Sequence, residues 1–328
     1  LSTTLATIDR PATAAHEPRA RRWVGDRIRL LLPAAALIVI LGLIFGLQPQ
    51  ARSYFGLTLL FSFSIPLVFA AMAQMCIIAA GDIDLGIGPF ISLVNCIAVT
   101  ALSDRPLLGV LALIGCVAAY VVLGALVELR RLPSIVVTLG ASFVWLGLAV
   151  LLLPAAGGTA PAWLPALLSM TPPLVPLPLL VAVIAGAVAQ YLFFQTSYGT
   201  VLRGIGGNAA AVKRAGWSLL RARTTLYGLA GACGVCAGLA ITGLNTSGDA
   251  NIGTQYTLIS IAAVIVGGGE FFGGIVSPVG AVAGSMIMLL TGSLLSFLNV
   301  SSAWQLSVQG VVLIAVLATR ALVRRRAL

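Results

Sequence analysis

The chain has 328 residues, 59% of them hydrophobic and 9% charged, against about 45–50% and about 25% for an ordinary soluble domain, so a soluble globular protein is excluded. The formal net charge of +10 would point to nucleic acid in a soluble chain, but in a membrane protein basic residues first record which loops face the cytoplasm. At roughly 20 apolar residues per crossing, the length accommodates about ten spans with short connections.

Residues 1–29 are polar and Arg-rich, contain Pro11 and Pro18, and lack apolar periodicity. They read as a disordered, basic cytoplasmic tail. The first apolar run begins near Leu30, after too long a polar stretch for a secretory signal, and reads as a retained first span. Apolar runs then follow at 30–47, 57–80, 86–102, 107–127, 135–153, 173–195, 224–244, 257–268, 278–298 and 303–319. The expectation is an all-α polytopic transmembrane helical bundle of about ten spans with broken helices. Its membrane domain covers 30–319, and 320–328 forms a basic cytoplasmic C-terminus. Pro66 and Pro178 fall inside runs and predict kinks.

Two runs are interrupted. Gly81, Asp82, Ile83, Asp84, Leu85, Gly86, Ile87 and Gly88 separate the second run from the third. The eighth is too short for a regular crossing and leads into Gly267, Gly268, Gly269, Glu270, Phe271, Phe272, Gly273 and Gly274. Irregular backbone at membrane depth is tolerated only where protein or a water-filled cavity surrounds it. Transporters built from repeats carry such interruptions near their pathway. Asp82, Asp84, Gly86, Gly88, Gly267, Gly268 and Glu270 are therefore candidates for pathway or helix-break positions. The competing reading of the acids is that they cap helix N-termini.

Alternating from a cytoplasmic N-terminus through ten spans places 17 of the 19 basic residues inside: six through Arg29, then Arg130 and Arg131, five from Arg203 to Arg223, and four from Arg320 onward. Only Arg52 and Arg105 fall outside, an asymmetry that supports this orientation and an even span count. All five cysteines lie in apolar runs and read as packing residues, Cys233 and Cys236 included. His16, the single histidine, sits in the tail and is no ligand candidate. The Gly-x-x-x-Gly spacings at Gly42/Gly46, Gly234/Gly238 and Gly280/Gly284 predict close helix packing without assigning a dimer face.

The longest hydrophilic stretch inside the membrane domain is 196–223. In it Asn208 is an N-cap candidate, three alanines follow, and Gly216 is a terminator, which predicts a short surface helix over 209–215. Such a helix, small on one face and basic on the other, suits docking into a groove of another protein. A loop whose basic residues only fix topology is the alternative.

Residues 206–216, GGNAAAVKRAG, resemble the coupling-loop signature of the ribose-type permease family, the membrane subunits of bacterial ATP-binding-cassette (ABC) sugar importers. In the same order, GDIDLGIG at 81–88 is similar to the family's Gly-Gly-Ile-Asp-Leu-Ser-Val-Gly. PSIVVTLGASFVWLGLAVLL from Pro133 resembles its Pro-Phe-Ile-Ala-Thr-Leu-Gly segment, and SIAAVIVGGGEFFGG from Ser260 its Ala-Ile-Ala-Ala-Val-Val-Leu-Gly-Gly block. Asp82 departs from the family's usual Gly, and Glu270 from a commoner small polar residue.

The resemblance implies a multi-pass permease subunit of the bacterial inner membrane that carries a sugar or sugar-like neutral solute inward. It implies a second permease copy, identical or related. ATPase subunits would bind MgATP and couple through Gly206, Gly207, Asn208, Ala210, Ala211, Lys213, Arg214 and Gly216. An extracytoplasmic binding protein would deliver the solute.

The residues themselves agree in part. Lys213, the sole lysine, sits in no phosphate-binding glycine loop, so P-loop hydrolysis requires a partner, and this chain itself needs no cofactor. No acid-base or nucleophile constellation appears, so no catalytic residue is assigned. Acids lie at breaks and loops rather than within spans, which disfavours a stand-alone ion-coupled transporter. A branched-chain amino-acid ABC permease is the nearer rival, and it lacks the Gly-Gly-Asn at 206–208. Asn245, Thr246, Ser247, Asp249, Asn251 and Gln255 are candidate contacts for the binding protein, or an ordinary solvated loop.

Overall fold

A computed structural model describes residues 19–270 and 274–301, with isolated helical positions between 304 and 314. Helix α1 (Arg19–Leu47) begins within the stretch read as a tail; residues 1–18 lie outside the described ones. Helix α2 (Tyr54–Phe61) starts on Ser53, whose hydroxyl accepts from the Gly56 N–H at 3.0 Å. Helix α3 (Ser64–Ala79) continues the same apolar stretch after a 42° bend. The bend falls where Pro66 offers no N–H to the Ser62 carbonyl four residues back and its ring crowds it. Helix α4 (Ile87–Ile97) runs on through a π-helical turn to Leu102.

Helix α5 (Pro106–Arg130) is followed after a short turn by α6 (Ser134–Leu152), which packs chiefly on α4, and then by the short α7 (Trp163–Leu168). Helix α8 (Leu177–Gln190) extends to Gln195. Pro178 occupies its first turn, where the missing N–H has no intrahelical partner to lose, so it starts the helix instead of kinking it. Helices α9 (Ser197–Arg214), α10 (Leu219–Asn245), α11 (Tyr256–Val266) and α12 (Pro278–Phe297) complete the described fold.

This architecture corrects the expectation of ten spans. Among the described residues, five helices are long and apolar enough to cross a membrane, six if the bent α2–α3 pair counts as one. In α1 only Pro33–Leu47 is counted as apolar helix, and Ile87–Leu102 and Tyr256–Val266 are helices of 10–17 residues. At about 1.5 Å per residue the latter two fall short of a core about 30 Å thick. The tenth run, 303–319, lies largely outside the described residues. Apolar runs of this length mark helices buried in protein as readily as spans: nine of the eleven residues of α11 are buried. With the count at five or six, the charge argument no longer fixes the side of the C-terminus, and both termini lie outside the described residues.

Helix α10 is the central element, packing along α3, α5 and α4. In its most apolar 18-residue window 61% is buried, against 28% for α5, 28% for α6 and 22% for the α8 stretch, so those three face outward. Glycines set its approach: Gly231 lies against Tyr120, Gly234 against Phe90 and Gly238 against Val94. Gly280 and Gly284 likewise bring α12 onto the backbone of α11 at Gly267 and Ala263, whereas Gly42 and Gly46 touch nothing within 4 Å.

Most buried polar side chains among the described residues are paired, as a low-dielectric interior demands; Ser64 Oγ, Trp145 Nε1 and Arg223 Nε have no hydrogen-bond partner. The Asn95 carboxamide donates to Thr242 Oγ1 (2.8 Å) and accepts from the Asp249 N–H (2.8 Å). Gly248 exchanges backbone hydrogen bonds with Gly157. The polar 245–255 stretch is thus pinned from below by α4.

Candidate functional site

The stretch 197–217 folds as two short helices that double back. Thr196 caps the first, its hydroxyl accepting from the Gly199 N–H at 2.9 Å. At Asn208 the backbone leaves helical geometry (φ −155°, ψ 81°), and the Asn208 carboxamide oxygen accepts from the Ala211 N–H at 2.9 Å. This is an N-cap satisfying one orphan donor of the second helix. That helix ends at Arg214 with Gly216 at φ +85°; Gly216 N–H donates to Lys213 O (3.0 Å) and Trp217 N–H to Val212 O (3.3 Å). The pattern is a Schellman cap, which requires a residue comfortable in the left-handed region. Lys213 and Arg214 in the last turn complement the helix dipole.

Val212 folds back over Gly204, and Trp217 lies 5.8 Å from the Tyr198 ring. Of the eight candidate coupling residues, Gly207, Asn208, Ala210, Ala211, Lys213, Arg214 and Gly216 are exposed, and Gly206 is half-buried.

Gly206 is turned inward because it is a junction. A Cβ there would meet Gly81 N at 2.9 Å, Gly274 Cα at 2.8 Å and the Ala79 carbonyl. Both interrupted segments therefore reach the same point of the 197–217 stretch, through Gly81 (φ +79°) and Gly274 (φ +63°).

In the first break, α3 ends in another Schellman cap: Gly81 N–H donates to Ile78 O (2.9 Å) and Asp82 N–H to Ile77 O (3.1 Å). Asp82 Oδ2 accepts from the Tyr227 hydroxyl (3.1 Å) and lies 3.6 Å from Arg223 Nε, which is itself 3.3 Å from Glu128 Oε2. Burial pushes the Asp82 carboxyl above its ordinary pKa, and the Arg223 guanidinium opposes that rise.

Asp84 is buried, with Oδ2 accepting from the Tyr120 hydroxyl (2.7 Å) and Oδ1 from the Gly86 N–H (2.7 Å). Turned so that both its ends are paired, the Gln74 carboxamide donates to the Asp84 carbonyl (3.2 Å) and accepts from the Asp84 N–H (3.3 Å). Thr138 and Ser134 on α6 hold the rest: Thr138 Oγ1 accepts from Leu85 N–H (3.1 Å) and donates to Ile83 O (3.2 Å), while Ser134 Oγ accepts from Ile83 N–H (3.3 Å). Gly86 lies against the Thr138 carbonyl. Gly88 N–H donates to Thr257 Oγ1 (3.0 Å), which brings the N-terminal turns of α4 and α11 together.

In the second break, Gly267 lies on Gly280, and Gly268 (φ +105°) is the left-handed residue of the cap on α11. Gly269 N–H completes that cap on Val264 O (2.9 Å), and Glu270 N–H donates to Ile275 O (3.0 Å). Residues 271–273 lie outside the described ones.

Sequence reasoning missed Tyr120, Tyr227, Gln74 and Thr138 as anchors. It counted Arg223 among the basic residues that record orientation, and it did not single out Glu128. Tyr120 and Gln74 are polar groups inside apolar runs, which need a partner when buried, and that was the available signal.

Residues 56–317 match the family described as "Branched-chain amino acid transport system / permease component", and the chain belongs to it. It is an ABC-importer permease subunit, a multi-pass protein of the bacterial inner membrane. The chain is 29% identical over 306 residues to the Ribose import permease protein RbsC of Escherichia coli (strain K12), covering 90% of this chain and 93% of that one. It is 28% identical over 325 residues to the Probable ABC transporter permease protein y4mJ of Sinorhizobium fredii, covering 97% of each. With the Ribose import permease protein RbsC of Bacillus subtilis it shares 36% identity over 147 residues, 44% of this chain and 46% of that one. No solved structure matches the chain.

Proposed function

We propose that this permease subunit moves a sugar or sugar-like neutral solute into the cytoplasm. ATP hydrolysis by a separate subunit docked on the 206–216 stretch drives it, and an extracytoplasmic binding protein supplies the solute to a pair of permease chains. The observation that carries the reading is the capped, exposed 209–214 helix, joined through Gly206 to both helix breaks. A docked partner pushing on that helix moves backbone that reaches both interruptions. The names of the relatives favour sugars, and the family's description makes branched-chain amino acids the second reading.

The test is ATP-driven uptake in proteoliposomes holding the permease, the ATPase and the binding protein encoded beside it. Radiolabelled ribose, xylose and leucine are compared. Uptake of one of the sugars is expected, and it is lost when 209–215 is replaced by a Gly-Ser stretch although the chain stays in the membrane. Leucine uptake alone favours the second reading. Sugar uptake that persists without the ATPase and collapses with the proton gradient overturns the proposal.

A further inference from the structure

The 204–223 stretch holds the first break at two places. Gly206 presses on the backbone of Gly81, and one residue further along Asp82 meets Arg223, at 3.6 Å, in the first turns of α10. Arg223 bridges to Glu128 at the end of α5, and Tyr227 and Ser134 face Asp82 from α10 and α6. The Arg223 and Asp82 side chains are 19% and 10% exposed, so salt screens the pair less than it would a surface pair.

The break is already closed without this pair. Gly81 caps α3, and Asp84 is anchored by Tyr120, Gly86 and Gln74. A paired charge that folding does not demand, placed between the exposed docking stretch and a helix break, has its use in motion.

We infer that the Asp82–Arg223 ion pair is a tie that makes the first break follow the 204–223 stretch when a partner docks on the 209–214 helix. This rests on the permease reading above. In this role Arg223 and Asp82 act as positioning residues. Gly206 supplies the push and Asp82–Arg223 the pull, so the break is driven in both directions of the cycle.

The experiment is hydrogen–deuterium exchange of the full-length permease in lipid nanodiscs with its ATPase, with and without ATP plus orthovanadate. Peptides covering 80–88 and 204–217 are followed. In the wild type both are expected to change exchange rate on trapping, by about fivefold in 80–88. Asp82→Gly keeps the change at 204–217 and loses it at 80–88. Arg223→Gln does the same, and Arg223→Lys restores it. A change at 80–88 that is equal in the wild type and Asp82→Gly overturns the tie and leaves the permease reading standing. No change at 204–217 in the wild type overturns the docking reading, and the tie with it.

Discussion

The first break, Gly81–Gly88, is held largely by side chains, whereas the described ends of the second, at Gly267 and Gly274, press on backbone. Around the first stand two carboxylates, two tyrosine hydroxyls and two α6 hydroxyls, each bonded to a named partner. At the described ends of the second, glycines meet backbone: Gly267 the carbonyl of Gly280, and Gly274 the Arg203 carbonyl and, across the junction, Gly206. A side-chain anchor can be weakened one bond at a time. A backbone contact has no smaller residue to fall back on, so the two segments should respond to substitution on different scales.

The largest effect is expected from Gly280→Ala. A Cβ there would fall on the Gly267 carbonyl, and the obstructing atom is backbone rather than the end of a flexible chain. Overpacking of this kind costs about 1–3 kcal/mol where side chains can give way, and more where they cannot. Thermal unfolding followed by fluorescence-detected size exclusion should show a large loss for Gly280→Ala and none for Gly42→Ala, whose site is open. Equal midpoints would break the comparison.

Next come the two tyrosines. Tyr120→Phe leaves a buried carboxylate oxygen of Asp84 without its 2.7 Å donor, a loss of about 1–3 kcal/mol. Tyr227→Phe removes a longer bond, 3.1 Å, from Asp82, which keeps Arg223 beside it. The drop in unfolding midpoint should therefore be clearly larger for Tyr120→Phe. The reverse order would show that Arg223, and not Tyr227, is the weaker partner of Asp82.

What could be read in advance divides along the same line. Local backbone signals were legible: the oxygen of Asn208 followed by alanines, and Gly216 after a basic turn, specify a capped helix without tertiary help. The terminating glycines at 81 and 268 are legible in the same way, because a left-handed cap is a local need. The span count was not. An 11-residue apolar helix such as α11 and a membrane span share one composition, and only the surroundings of α11, protein on nearly every side, separate them. Nor was the convergence of Gly81, Gly206 and Gly274, since those three residues are far apart in the chain and a glycine declares that something passes close without declaring what. The ion pair of Arg223 was hidden for a different reason: at a loop edge in a membrane protein, orientation already explains an arginine.

The smallest effect tests the docking helix by itself. Asn208→Ala removes the acceptor of the Ala211 N–H, a cap worth about 1 kcal/mol. The Schellman cap at Gly216 and the packing of Val212 on Gly204 remain, so the fold as a whole should unfold at the wild-type midpoint. The change should appear only locally, as about fivefold faster amide exchange over 209–214, since about 1 kcal/mol in a local opening equilibrium multiplies the open population by that factor. Asn208→Asp keeps an acceptor and adds negative charge at the helix N-terminus, so its exchange should stay at or below the wild-type rate. If Asn208→Ala lowers the global midpoint as much as Tyr120→Phe does, the 209–214 helix is not an independent appendage, and the first break depends on it even without a partner.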